Sequence, residues 1–218
     1  MREVVLLTGF EPFGGFVANP SQEVAEALDG RVVGRVAVRA GVLPVDHARA
    51  PAVVADLIDE TDPAAVVHLG LAAGRARIAL ERVAVNVMDF DTPDNTGYTA
   101  RGEPCVPGGP AAYFATLPLA VILERLRAEG IPAYLSNTAG AYLCNQTLYT
   151  TLHRLATRGH RARAGLVHLP LSPPMVAATG SDQPSMDLSL MVRAVEVVLA
   201  VVSAVVGGAG LEPATSAL

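Results

Sequence analysis

The chain has 218 residues, of which 51% are hydrophobic and 17% charged, with a formal net charge of −5 and a pI near 5.5. This excludes a disordered chain and allows one α/β domain with a real core, while the acidic balance without any Lys/Arg-rich run argues against a nucleic-acid partner or an anionic membrane. The two cysteines, Cys105 and Cys144, cannot form a disulfide framework and fit a reducing compartment, so a cytoplasmic location is expected.

Taken in chain order, Glu3–Thr8 reads as a first strand, whose own apolar run, Val4-Val5-Leu6-Leu7, is too short for a signal-peptide core. Asn19-Pro20-Ser21 opens a helix to about Leu28, with Pro20 in its first turn and Gly30 just past its end. Arg31–Val38 reads as a second strand, and Asp46–Glu60 as a helix with Val53, Val54, Leu57 and Ile58 on one face. Ala64–Leu69 is a wholly apolar strand stopped by Gly70, and Ile78–Val87 is another β-rich run. Met88–Gly109, crowded with Asp, Pro, Asn and Gly, reads as a long loop, a feature usually functional or mobile. Then follow a helix over Pro118–Glu129, a strand over Ile131–Ser136, a helix over Leu143–Thr157, a strand over Ala164–Leu169 and a long apolar helix over Met186–Val206. The uncharged stretches Pro104–Leu123 and Val197–Leu211 do not read as membrane spans: prolines interrupt the first, and the second is short and ends in glycines. With no repeat or linker, residues 1–206 are expected to form one domain and 207–218 a flexible tail. Apolar strands alternating with amphipathic helices imply a mostly parallel, mixed and twisted sheet covered on both faces. Its ligands should sit at the carboxyl ends of the strands.

The chemistry-bearing residues lie just after strands. Cys144 falls in the first turn of the Leu143–Thr157 helix, after the small-residue turn Thr138-Ala139-Gly140-Ala141. Free N–H groups and positive partial charge at a helix N-terminus favour a thiolate and an oxyanion, although a free cysteine is more often a small buried hydrophobe. Cys105, in the loop, is the weaker nucleophile. His68 and His168 both lie near the carboxyl ends of apolar strands, and composition does not separate them as the base; His153 and His160 read as solvated. Glu81 interrupts Ile78-Ala79-Leu80 and Val83-Ala84-Val85, as an imidazole-orienting carboxylate would, or as one salt-bridged to Arg82 or another nearby arginine. Phe10, Phe13 and Phe16 crowd a Gly/Pro loop after the first strand and fit either a small apolar pocket or a plug over the sheet edge. No phosphate loop, dinucleotide fingerprint or His/Cys metal spacing occurs.

Together, Leu6-Leu7-Thr8-Gly9-Phe10-Glu11-Pro12-Phe13-Gly14-Gly15, Asn19-Pro20-Ser21, Glu81-Arg82-Val83-Ala84-Val85-Asn86, Pro93-Asp94-Asn95, Gly108-Gly109-Pro110-Ala111-Ala112-Tyr113, Ser136-Asn137-Thr138-Ala139-Gly140 with Cys144-Asn145, and His168-Leu169-Pro170 resemble the pyroglutamyl peptidase I family, in its order and across nearly the whole chain. The resemblance implies a three-layer α/β/α fold and a cysteine exopeptidase acting on N-terminal pyroglutamyl peptides. It assigns the triad to Cys144, His168 and Glu81, and so chooses His168 over His68. It places substrate binding at Phe10, Phe13, Phe16, Asn19, Leu71, Tyr142 and Leu143. It implies no cofactor or metal, and a homotetramer or dimer. The chain departs from the family at Leu71, in Leu71-Ala72-Ala73-Gly74-Arg75 where Gln-Ala-Gly-Gly-Arg is common, and at Asp91, where an arginine is common. A nucleoside-phosphorylase-like enzyme, or a non-catalytic binder of pyroglutamyl-blocked peptides, are the alternatives.

Overall fold

The computed structural model describes residues 2–206; the tail expected over 207–218 lies outside them. The strands are β1 (Glu3–Phe10), β2 (Val32–Val33), β3 (Val36–Leu43), β4 (Ala65–Leu71), β5 (Ile78–Glu81), β6 (Val83–Val85), β7 (Met88–Phe90), β8 (Ala100–Glu103), β9 (Ala112–Phe114), β10 (Ala133–Ser136) and β11 (Arg163–Leu169). The helices are α1 (Pro20–Leu28), α2 (Ala50–Thr61), α3 (Leu119–Ala128), α4 (Leu143–Thr157), α5 (Pro173–Thr179) and α6 (Leu188–Val206). Seven strands make the central sheet, in the order β10-β5-β11-β4-β1-β3-β2. It is parallel except where β5 meets β11 and where β2 meets β3.

Side-chain alternation along the strands builds two cores. Val5, Leu7, Val67, Leu69, Val167 and Leu169 pack with α1, α3 and α6. Leu6, Val66 and Leu166 pack with α2 and α4 on the other face. The sheet is therefore a middle layer with helices on both sides. By the same parity His68, Gly70 and His168 turn toward α4. β4 is buried at every residue, which is why it reads as an unbroken apolar run. At Gly9 a Cβ would lie 2.1 Å from the Ser21 carbonyl oxygen, so only glycine lets β1 pass this close to α1.

Several boundaries differ from the sequence expectation. The second strand is a hairpin: Gly34, at φ 59°, turns the chain between β2 and β3, and the Arg35 N–H donates to Ser203 Oγ. The second helix begins at Ala50 because the Asp46 side chain first accepts the N–H groups of Ala48 and Arg49 in a turn. Gly70 does not stop β4, which runs on to Leu71. The run over Ile78–Val87 breaks at Arg82, where the chain leaves the main sheet after β5 and β6 pairs with β9 instead. The 88–109 loop contains the β7–β8 hairpin, whose turn is fastened by Asp94: its Oδ1 accepts from the Thr96 and Tyr98 N–H groups and from the Thr96 hydroxyl. The short α5 opens with Pro173 and Pro174 in its first turn and carries only Met175 buried, a pattern too brief to read from periodicity. α6 starts after Asp187, whose carboxylate accepts the Ser189 N–H. By length and composition α6 is apolar enough to cross a membrane, but one side of it, with Met191, Val195, Val198 and Val202, lies in the core.

Candidate active site

The site forms at the carboxyl ends of β4 and β11, where β5 runs in from the opposite direction. In the ladder His168 faces Ala79, and Glu81 stands two residues on along the same face of β5. His168 Nδ1 donates to Glu81 Oε1 at 2.8 Å, between two side chains almost wholly out of solvent. The same oxygen accepts from Arg75 Nη1 at 2.7 Å. Glu81 therefore orients the imidazole and also forms the salt bridge that the sequence offered as its alternative, with Arg75 rather than Arg82. Arg82 turns instead to Asn137 Oδ1 at 3.3 Å.

Cys144 reaches the other side of the ring. A Cβ placed on Gly70 would lie 2.7 Å from Cys144 Sγ and 3.1 Å from His168 Nε2. The thiol and imidazole thus meet directly over a glycine, and no larger residue fits beneath them. This is a function for Gly70 that its reading as a strand stop missed; a glycine inside a strand is itself a sign of close approach. Burial alone would lower the His168 pKa, but the charge and hydrogen bond of Cys144, with those of Glu81, raise it to about 9 from an ordinary 6.5. Burial likewise opposes ionisation of Glu81, yet His168, Ser136 and Arg75 hold its carboxyl below the usual range.

α4 begins at Leu143 with no side-chain cap, Tyr142 holding the N-cap position in extended backbone. The N–H groups of its first turn are those that a helix leaves free for an anion. Asn145 fixes this end of the helix: its Nδ2 donates to the carbonyls of Val85 and Val87, and its Oδ1 accepts the Val85 N–H.

A slot of about 230 Å³ opens beside Sγ, lined among others by Phe10, Phe13, Val45, Leu71, Arg75, Ala139, Gly140, Tyr142, Leu143, Cys144 and His168. That is below the roughly 300–1,000 Å³ of drug-sized sites and suits a single small ring. Tyr142 stands between Phe13, at 5.7 Å between ring centroids, and Phe90 of β7, at 4.6 Å edge to face. The β7–β8 hairpin therefore backs one wall. Two residues expected at the slot do not line it. Phe16 packs with Leu71, Leu171 and Met175 behind the wall. Asn19 caps α1 through Ser21 N and donates to the Glu11 carbonyl, so it shapes the aromatic loop from below.

The remaining candidates resolve plainly. His68 is fully buried between Thr8 Oγ1, at 2.7 Å from Nδ1, and Thr151 Oγ1, at 2.9 Å from Nε2, and burial pushes its pKa down to about 3. Burial pushes the Cys105 thiol up to about 11, the opposite of an activated nucleophile. His153 meets the Tyr113 hydroxyl at 2.9 Å and His160 meets Asp62 at 3.1 Å, so neither is merely solvated. Asp91 pairs with Arg101 at 2.6 Å on the exposed surface. Among the described residues, Asp46, His47 and Asp94 bring potential metal-ligand atoms within 4.8 Å of one another. Asp94 Oδ2 there already meets the N–H and Nδ1 of His47, whose ring stacks on Tyr98 at 3.5 Å. The cluster pins the hairpin turn.

A family model described as pyroglutamyl peptidase matches residues 3–205. The pyrrolidone-carboxylate peptidase of Pyrococcus furiosus is 44% identical over 90% of this chain and 96% of its own length. The protein of that name from Bacillus cytotoxicus is 41% identical over 91% and 92%. A solved structure of a mutant pyrrolidone carboxyl peptidase from Pyrococcus furiosus superposes with a TM-score of 0.90 at 42% identity, covering 93% of this chain and 99% of that one.

Proposed function

The chain belongs to the pyroglutamyl peptidase family, and on that premise we propose that it is a cysteine exopeptidase that removes an N-terminal pyroglutamyl residue through Cys144, His168 and Glu81. The observation that carries this reading is the buried Glu81–His168 pair set against Cys144 at the uncapped start of α4, with an aromatic slot at the thiol. The Cys144 thiolate attacks the pyroglutamyl carbonyl, and first-turn N–H groups of α4 hold the oxyanion. The carbon–nitrogen bond breaks as His168 Nε2 gives its proton to the leaving amine, which leaves a thioester. Neutral His168 then takes a proton from water, the hydroxide attacks the thioester, and pyroglutamate departs from the thiolate. Glu81 keeps the ring oriented in both halves. A phosphorylase-like reading would need a cationic phosphate cradle; the arginine lining the slot is engaged with Glu81.

Specificity follows from charge. The slot contains Arg75 and His168 but no carboxylate. A neutral lactam loses little on entering, whereas the ammonium of an ordinary N-terminus gives up its hydration with no carboxylate lining the slot to receive it, at a cost of several kcal/mol. We therefore expect kcat/KM for a pyroglutamyl amide to exceed that for matched prolyl and glutaminyl amides by orders of magnitude, with Phe13→Ala lowering the first by roughly ten- to a thousand-fold. Comparable values for the three amides overturn the reading.

The same reading places the enzyme in the cytoplasm, in keeping with its two free thiols, as a homotetramer or dimer. An apolar groove of about 1400 Å³ along α3 and α6, lined by Leu117, Val121, Val197, Val201 and Val205 among others, supports self-association. Light scattering on the purified protein tests it, and a monomer at micromolar concentration overturns it.

A further inference from the structure

We propose that Arg75 is a positioning residue of the catalytic centre, keeping Glu81 ionised while His168 passes between its charged and neutral forms. This rests on the reading of Cys144, His168 and Glu81 as the working triad. Glu81 is fully buried, and a single oxygen, Oε1, accepts from both His168 Nδ1 at 2.8 Å and Arg75 Nη1 at 2.7 Å. With His168 as imidazolium, the carboxylate has two cations beside it. Once His168 has given its proton to the leaving amine, one of those charges is gone. A buried carboxylate left beside a neutral imidazole is drawn to take up a proton itself. A protonated Glu81 would donate to Nδ1 and leave Nε2 as the N–H, the tautomer that cannot accept a proton from water. The guanidinium does not titrate in this range, so it holds Glu81 as an acceptor through both halves of the reaction.

The surroundings single out Arg75 for this task. Facing Glu81 are His168 from β11, Cys144 beyond it from α4, and the uncharged Ser136 from β10. Arg82, next in sequence, turns to Asn137, and Arg77 lies 4.6 Å over the Tyr134 ring. Among the described residues, Arg75 is the permanent cation at the carboxylate. Its side chain, 27% exposed, lies in the loop between β4 and β5, so replacing it leaves no hole in the core.

The test measures the rate of Cys144 alkylation by iodoacetamide from pH 4 to 10, with Cys105 separated by peptide mass. It is run on the wild type, Arg75→Gln, Arg75→Met and Arg75→Lys, beside kcat and KM on a pyroglutamyl amide. Removing the positive charge in Arg75→Gln, or in Arg75→Met, should move the acid midpoint of alkylation up by about one pH unit. In the same variants kcat should fall roughly ten- to a hundred-fold with KM changed less than about three-fold. Arg75→Lys keeps the charge and should return the midpoint to the wild-type value with most of kcat. Unmoved midpoints in folded Arg75→Gln and Arg75→Met, or a Lys variant that behaves like them, overturn the inference. A wild type that alkylates but does not cleave overturns the peptidase reading instead, and the alkylation profiles still report on Arg75.

Discussion

β4 and β11 lie side by side, and each carries one buried histidine on the face turned to α4. His68 stands beside Leu166 in the ladder, and His168 stands beside Gly70 one step further along. The same helix serves both: Cys144 meets His168, and Thr151, seven residues or two turns later, meets His68. Both rings have both nitrogens satisfied. Hydroxyls can hydrogen-bond a neutral ring but offer it no charge, so burial wins at His68 and takes its pKa to about 3. At His168 the charge and hydrogen bond of Cys144, with those of Glu81, outweigh the same burial and take it to about 9. Two positions of equal depth and similar sequence thus hold one imidazole between two hydroxyls and another between a thiol and a carboxylate, and the difference lies in their partners.

The largest effect should come from the thiol. Cys144→Ala is expected to abolish release of a chromophore from a pyroglutamyl amide, and Cys105→Ala to retain most of it; equal losses would remove the distinction between the two thiols. His168→Ala should lower kcat/KM by several orders of magnitude, because proton transfer and thiolate formation are lost together. An active His168→Ala beside a dead His68→Ala would mean that the two histidines have exchanged roles.

The comparison sharpens at the glycine between them and in its dependence on pH. Gly70→Ala puts a methyl 2.7 Å from Sγ and should cost roughly a hundred-fold or more in kcat with the fold intact by circular dichroism. Full activity would show that Cys144 and His168 do not work at this separation. The charge of His168, raised from 6.5 to about 9, stabilises the folded state fully below pH 6.5, and this contribution is lost as pH rises through about 9. Both kcat/KM and Tm of the wild type should fall over that alkaline window, and the Tm component should vanish in His168→Ala. The smallest effect on turnover belongs to His68→Ala, which should leave kcat/KM within about three-fold of wild type. It should destabilise the protein by about 2–4 kcal/mol in urea, since a cavity opens and Thr8 and Thr151 lose a buried partner.

Much of this site was legible along the chain. Cys144 after a small-residue turn, Glu81 interrupting an apolar run and three phenylalanines in one loop all announce themselves within a few neighbours. The boundaries of α4 read directly, because its burial pattern and its start are both local. What did not read were features set by the path the chain takes through its turns and loops. Arg75 stood within a recognised motif, and a salt bridge from Glu81 to a nearby arginine was legible, but the choice of Arg75 over the adjacent Arg82 was not, because the turn between β4 and β5 makes it. Phe16 and Asn19 sit in the right loop, yet the loop's fold sends one behind the wall and uses the other as a cap.

The sequence by itself determined the alternation of strands and helices and hence a sheet buried on both faces, because the two- and 3.6-residue periods are properties of neighbouring residues. From composition and spacing it left His68 and His168 equivalent; family resemblance alone preferred one. Only the tertiary structure gave that preference a physical cause, since the antiparallel entry of β5 beside β11 brings Glu81 to a histidine 87 residues away. Strand order and register set that meeting, and with it the charge that decides which of two buried rings keeps its proton.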